Sequence, residues 1–178
     1  QLQRILSAGV PVSHLDTHQH THLWPAVGAA LIDLAVDHQI LAVRTPHSAR
    51  TLPVGLGVNL LAGRLRSRLA RARLSTTDGY TGLDEAGAFD QARFERSLRA
   101  FRLTTDKAVR MNTGKINTVE INTHPGEAGD PDLERFDWGY RWPDELAMLL
   151  APQSRDLLQR SDFRLGSFKD LVFAGGSR

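Results

Sequence analysis

The histidine and aspartate side chains best able to bind a metal or move a proton are concentrated in one stretch, HLDTHQHTH, at residues 14–22. These residues are His14, Asp16, His18, His20 and His22, all at even-numbered positions. Alternate residues of a strand point to the same side. If residues 11–18 form a strand, His14, Asp16 and His18 therefore share one face. Such a face indicates a metal or catalytic site, and the alternative is a surface cluster or a few buried structural histidines.

The length of an extended chain limits how many of these residues can bind one ion. His14 and His18 would lie about 13 Å apart along a strand, so both could reach a single ion only if the chain bends. We expect at most two or three ligands, with the other residues supporting them or facing a substrate. Asp16 could orient a ligand histidine or accept a proton. Histidine and carboxylate ligands without cysteine suit Zn²⁺, or a harder ion such as Mg²⁺, Mn²⁺ or Co²⁺.

A second polar cluster, NTHPGE, covers residues 122–127 at the end of a predicted strand, 116–124. The residues on its polar face are Thr118, Glu120, Asn122 and His124. Because the strand is otherwise apolar, this polar face is predicted to point into a cleft or a barrel interior. A buried Glu120 needs a partner, and Arg44 is the candidate. The alternatives are a structural Glu–Arg pair and a turn histidine before a proline.

Helices and strands are predicted to alternate along the chain. Helices are expected at 2–8, 25–38, 58–74, 90–103 and 142–160, the last interrupted at Pro152, and strands at 11–18, 40–45 and 116–124. Loops are expected at 46–57, 76–87 and 125–141, and a strand or extended end at 163–173. This order predicts one α/β domain, residues 1–178, with parallel strands. Active sites of such folds lie where strands run into loops, and both polar clusters are at such positions.

Composition excludes several classes of protein. The chain has 178 residues, 41% of them apolar and 24% charged, as in an ordinary globular protein. A net charge of +2 is too small to indicate a polyanionic partner, and no cysteine is available for disulfides or thiolate metal sites. No apolar run is long enough to span a membrane. A cytoplasmic location is the default expectation.

Four segments resemble, in the same order, motifs of the YdjC-like carbohydrate deacetylases. PVSHLDTHQHTHLWP is similar to the family's H-L-D-S-H-x-H-x-H-x-x-P motif. VEINTHPG resembles the family's strand that ends in E-x-x-x-H-P. The predicted strand that ends at Arg44 resembles the family's A-x-R segment, and FRLGSFKDL resembles its closing segment. Together they span residues 10–171.

The resemblance implies a (β/α) barrel-like fold and a metal-dependent hydrolase. Family members remove the N-acetyl group from acetylated amino sugars, either oligosaccharides or glycolipids. The implied cofactor is a divalent metal, Mg²⁺ first, with Zn²⁺ or Co²⁺ as alternatives. The metal ligand of the motif falls on His18, and the His-Pro histidine, a candidate acid for the departing amine, falls on His124. Substrate-facing or supporting roles are left for His14, Asp16, His20, His22, Arg44 and Glu120.

Two family motifs do not occur in this sequence. They are N-A-D-D-F-G, whose aspartates supply a metal ligand and a base, and a later G-x-H, which supplies another ligand. The chain is therefore expected to correspond to the C-terminal part of a deacetylase, with a barrel incomplete at its N-terminus. One of three expected ligands remains, so low activity is expected of this chain alone. Apolar surface left by missing strands also predicts a homo-oligomer, in the simplest case a dimer.

Two other functions are compatible with the sequence. The same fold could be kept as a non-catalytic relic or partner subunit. The basic segment RLRSRLARAR, residues 64–73, would suit a nucleic-acid-binding module. However, Leu61, Leu65 and Leu69 form an apolar row, which favours a solvated helix packed on a core, and no nucleic-acid partner is expected. Aromatic side chains that could stack on sugar rings, or only pack a loop, are Trp24, Trp138, Tyr140 and Trp142.

Overall fold

The computed structural model describes residues 1–110, 118–136, 138–161 and 163–175. They form two compact units, one of residues 1–77 with the C-terminal residues from Gly166, the other of Asp78–Leu165. No helix within these described residues is long and apolar enough to cross a membrane.

Helices make up most of the regular structure. In chain order the elements are α1 (Leu2–Ser7), a 3₁₀ segment (His18–Leu23), α2 (Pro25–Asp37), α3 (Pro53–Arg71), β1 (Gly79–Thr81), α4 (Gln91–Arg110), β2 (Val119–Ile121), α5 (Pro131–Glu134), α6 (Trp142–Leu150), α7 (Pro152–Arg160) and α8 (Phe168–Gly175). Proline stands at the first or second position of α2, α3, α6 and α7. A proline there loses no helical hydrogen bond and already has a helical φ.

Four sequence predictions of local structure were wrong. The segment 163–173 was expected to be extended, but α8 begins within it at Phe168. The loop expected at 46–57 ends early because Pro53 starts α3. The loops expected at 76–87 and 125–141 contain β1 and α5, respectively. Asp90 caps α4, since its Oδ1 accepts a hydrogen bond from the Arg93 N–H at 2.9 Å.

The first unit has three extended segments in parallel pairing. Leu15 pairs with Val43, and Ala42 with Ser75. The Leu15 N–H donates to the Ala42 carbonyl at 3.0 Å, and the Val43 N–H to the Ser75 carbonyl at 2.9 Å. The core of this unit is formed by Leu31, Ile32, Ala35, Ile40, Val43, Leu65, Leu69 and Leu74. The predicted strands at 11–18 and 40–45 therefore pair as expected, but only through isolated bridges.

The second unit contains the two-stranded sheet, in which β1 and β2 are parallel with Tyr80 opposite Glu120. Gly82, just after β1, has φ +100°, and a Cβ there would lie 2.0 Å from the Asn122 carbonyl oxygen. Only glycine allows this close approach of two backbones. The core of the unit is formed by Phe89, Phe94, Leu98 and Met148.

The described part of the chain is thus mixed α/β, mostly helical, with a small parallel sheet. This confirms the α/β class and the parallel strands. The barrel-like arrangement, incomplete at its N-terminus, remains a prediction.

Candidate functional site

The histidine stretch leaves its extended conformation after Thr17. Residues His18–Leu23 form a 3₁₀ segment in which Gln19 (φ 51°) and His20 (φ 54°) are left-handed. This conformation is costly for side chains other than glycine. The alternation of a strand therefore does not extend to His20 and His22. Instead the segment bends, and the rings of these two residues meet edge to face at 6.0 Å.

His22 is a fully buried, hydrogen-bonded side chain. Its Nε2 lies 3.0 Å from the Arg44 carbonyl oxygen, and its Nδ1 lies 2.7 Å from the Thr17 hydroxyl. A carbonyl only accepts, so Nε2 must carry the hydrogen, and the neutral ring then accepts at Nδ1. Burial lowers the pKa of His22, although the Arg44 carbonyl and the Asp16 carboxylate partly oppose this. Both ring nitrogens are therefore occupied within the protein.

The Thr17 side chain fixes the start of the bend. Its hydroxyl accepts from the His22 backbone N–H at 3.0 Å and from the Thr21 hydroxyl at 3.1 Å. The Thr17 hydroxyl can therefore donate its own proton to Nδ1 of the His22 ring. On the other side, α2 packs so closely that a Cβ on Gly28 would lie 2.6 Å from the His22 carbonyl oxygen. These contacts attach the 3₁₀ segment to α2 and to the strand segment at Arg44.

Stability is expected to fall as the pH drops below about 6.5, the ordinary pKa of histidine. Since folding lowers the pKa values of His22 and His14, the unfolded chain binds more protons in this range. The histidine contribution is thus complete above pH 6.5 and is lost as the pH falls towards the folded-state pKa. Urea unfolding between pH 8 and 5 should show a shallower slope for His22→Gln than for the wild type, and equal slopes would contradict this assignment.

His14, Asp16 and Arg44 form a group beside this bend. The His14 ring stacks on Phe168 of α8, with centroids 3.9 Å apart and planes 9° apart. Its Nδ1 lies 3.0 Å from the Ser13 hydroxyl. Burial lowers the pKa of His14, Asp16 opposes the shift and Arg44 adds to it. Asp16 forms an ion pair with Arg44, whose side chain is 16% exposed.

These residues do not form a complete metal centre by themselves. Within the described ranges, no group of three or more His, Cys, Asp or Glu side chains could hold a metal ion. The nitrogens of His22 are engaged, and Asp16 is paired with Arg44. His18, the predicted ligand, lies exposed on the 3₁₀ segment. The described residues alone therefore supply too few donors to hold the implied metal.

The second unit holds the other predicted site residues. Glu120, 8% exposed, lies on β2, and His124 follows that strand. The His124 backbone N–H donates to Glu145 Oε2 at 2.5 Å, and its ring Nδ1 lies 3.9 Å from the same oxygen. Glu145 is fully buried in the first turn of α6, and its Oε1 accepts from the Phe89 N–H at 3.2 Å. This carboxylate thus holds the backbone at His124.

Sequence reasoning missed Glu145 and Phe168. In WPDE, acidic residues after a proline are typical of a solvated helix start, so Glu145 gave no sign of burial. The available signal was its position three residues before Met148, which is also buried. Phe168 was placed in an extended end, not on a helix that reaches His14.

An aromatic row, defined as Phe136, Trp138, Tyr140 and Trp142, adjoins His124. The Tyr140 ring meets His124 edge-on at 5.3 Å, and Trp138 lies 5.0 Å from Phe136 and 5.6 Å from Tyr140. Tyr140 also packs on Gly87, where a Cβ would lie 2.2 Å from its ring. Phe136 and Trp138 are 46% and 47% exposed. The row therefore presents apolar ring surface beside a histidine, while Trp24 lies in the other unit.

Comparison with known proteins agrees with the motif resemblance. The sequence model of the family described as YdjC-like protein matches residues 1–160. A carbohydrate deacetylase from Brevibacillus brevis is 23% identical over 173 residues, which is 96% of this chain and 58% of that relative. The chain thus spans less than two thirds of the relative's length. No solved structure matches this chain. Because the family match covers most of the sequence, the chain belongs to the YdjC-like family.

Proposed function

We propose that the protein containing this chain is a carbohydrate deacetylase that hydrolyses the N-acetyl amide of an acetylated amino sugar. Membership of the YdjC-like family and the similarity to a carbohydrate deacetylase support this proposal. The structural observation that carries it is His124, held by buried Glu145 next to the aromatic row. This arrangement combines a proton donor with a surface suited to sugar rings.

The chemistry proposed for His124 is general-acid catalysis. Water adds to the acetyl carbonyl carbon, the C–N bond breaks, and the departing nitrogen takes up a proton to leave as an amine. A side chain that delivers this proton typically accelerates the reaction by about 10²–10⁴-fold. Glu145 would act through His124, because its carboxylate accepts the His124 backbone N–H and faces the ring.

A divalent metal, Mg²⁺ before Zn²⁺ or Co²⁺, with His18 as one ligand remains part of the proposal. It would polarise the acetyl carbonyl. The described residues supply no group of three ligands, so no step is derived through it. His14, Asp16, His20, His22, Arg44 and Glu120 are proposed as residues that face the substrate or support the site.

The aromatic row is proposed to stack on the sugar. Pyranose rings have an apolar face, and aromatic side chains provide large rigid surfaces for it. We expect Trp138→Ala to remove about 1–2 kcal/mol of binding and to raise KM roughly 5- to 30-fold. The value of kcat should change little, since Trp138 would contact the sugar and not the reacting amide.

Steady-state kinetics of acetate release would check this effect. Leu103→Ala is the control, because Leu103 is 59% exposed on α4 and lies outside the aromatic row; its KM should remain that of the wild type. If Trp138→Ala and Leu103→Ala gave the same KM, the row would not be a sugar-binding surface.

The activity itself is tested by acetate release from N-acetylglucosamine oligomers by the protein containing this chain, with Mg²⁺, Zn²⁺ or Co²⁺ supplied. Acetate release that increases with enzyme concentration supports the proposal. Absence of release with every metal and chain length would favour the alternative, a non-catalytic relic or partner subunit. A homodimer also remains a prediction, for which light scattering gives the mass.

A further inference from the structure

A basic cleft of about 370 Å³ lies within the first unit, outside the residues assigned to deacetylation, except that His22 forms part of its wall. One wall is α3, which contributes Arg64, Arg68 and Arg71 together with Leu61 and Leu65. The opposite wall is the start of α2 and the end of the 3₁₀ segment. The size falls within the range of small-molecule sites.

The three arginines are close together, and within the described residues they have no acidic partner. Their spacing of four and three residues places them on one face of α3, where like charges repel. None forms an ion pair with a carboxylate in the ranges that the structure describes. Arginines elsewhere do have such partners, namely Arg44, Arg93, Arg99, Arg135 and Arg141. A cluster of this kind is stabilised when an anion binds to it.

The remaining contacts define the type of anion. Arg68 donates to the Pro25 carbonyl at 2.8 Å, which directs its guanidinium across the cleft towards α2. Guanidinium groups bind phosphate oxygens in pairs of hydrogen bonds. Leu61 and Leu65 add apolar wall surface for an organic group. The ring nitrogens of His22 are occupied by Thr17 and the Arg44 carbonyl, so the arginines carry the charge of the site.

We propose that this cleft binds the phosphate group of a small organic phosphomonoester. The dianion would lie between Arg64, Arg68 and Arg71, with the organic group against the leucines. The inference goes beyond deacetylation, since no step of amide hydrolysis uses these arginines. Binding would affect the histidine stretch, because His22 lines the cleft and its ring is hydrogen-bonded to the Arg44 carbonyl.

Calorimetric titration of the full chain with phenyl phosphate and with inorganic phosphate, at constant ionic strength, tests the proposal. The test variant is the double substitution Arg64→Gln/Arg71→Gln, since both side chains are exposed and their removal spares the Arg68–Pro25 bond. Arg4→Gln/Arg73→Gln is the matched control, because it removes the same charge from exposed positions outside the cleft.

We expect saturable binding of one phenyl phosphate per chain, weakened at least about tenfold in the test variant and less than about twofold in the control. Tighter binding of phenyl phosphate than of inorganic phosphate would confirm an organic ligand, whereas equal affinities would identify free phosphate as the ligand and overturn the phosphomonoester assignment. Absence of saturation at about 10 mM, or equal losses in both variants, would overturn the site. Binding of an acidic peptide without binding of either phosphate would also overturn it, in favour of a protein partner.

Discussion

Replacing His124 with glutamine is expected to lower kcat of the protein containing this chain by roughly 10²–10⁴-fold, with a much smaller change in KM. In the proposed mechanism, the departing amine then has no proton donor, while the sugar still has its stacking surface. The fold should tolerate the change, because the bond from His124 to Glu145 at 2.5 Å is made by the backbone N–H. Steady-state kinetics with an N-acetylated oligosaccharide measures both constants.

His38→Gln is the control for this substitution. His38 is an exposed histidine directly after α2, and its replacement should leave kcat unchanged. A His124→Gln protein that keeps kcat within about threefold of the wild type would exclude His124 as the acid. Equal unfolding midpoints of variant and wild type would show that any loss of rate is chemical.

The largest expected effect on stability is that of Glu145→Ala. The substitution removes the acceptor of the Phe89 N–H, which is buried, and of the His124 N–H, which is partly buried. An unsatisfied buried donor costs about 1–3 kcal/mol. The free energy of unfolding should therefore fall by about 3 kcal/mol. Glutamine does not restore the arrangement, because its single oxygen can accept at only one of the two positions and its amide group would face the other donor.

Asp144→Ala is a sharp control, since this neighbouring carboxylate is 55% exposed and pairs with Arg141 at the surface. Surface pairs contribute about 0–1 kcal/mol. Urea unfolding of the two variants should thus separate them by roughly 2 kcal/mol or more. Similar unfolding free energies would mean that Glu145 does not hold the His124 backbone.

Much of the fold follows from apolar periodicity. The row of Leu61, Leu65 and Leu69 on α3 was visible in the sequence, and Leu65 and Leu69 are core residues in the structure. The secondary structure of residues 163–173 was predicted wrongly because the spacing of their apolar residues fits either a strand or a helix. The start of α3 was misplaced because the two prolines and two glycines within residues 46–57 suggested a loop, although a proline is well tolerated in a first helical turn.

The candidate site was only partly predictable for a different reason. The alternation of residues 14, 16 and 18 assumed a continuous strand, but the chain enters a 3₁₀ segment at His18, in which Gln19 and His20 are left-handed, and neither residue type nor spacing indicates this. Thr17 contacts His22 only because the chain bends after Thr17. Glu145 lies 21 residues from His124 in the sequence, and no local pattern links residues that meet only through tertiary packing.

The most direct test of the deacetylase proposal is the intact mass of an N-acetylglucosamine oligomer after incubation with the protein containing this chain and with its His124→Gln variant. The proposal predicts that the wild type removes one acetyl group at a time and leaves every glycosidic bond intact, while the variant produces far less of this product. Shorter oligomers that keep all their acetyl groups, or an unchanged oligomer at every metal and protein concentration, would contradict it.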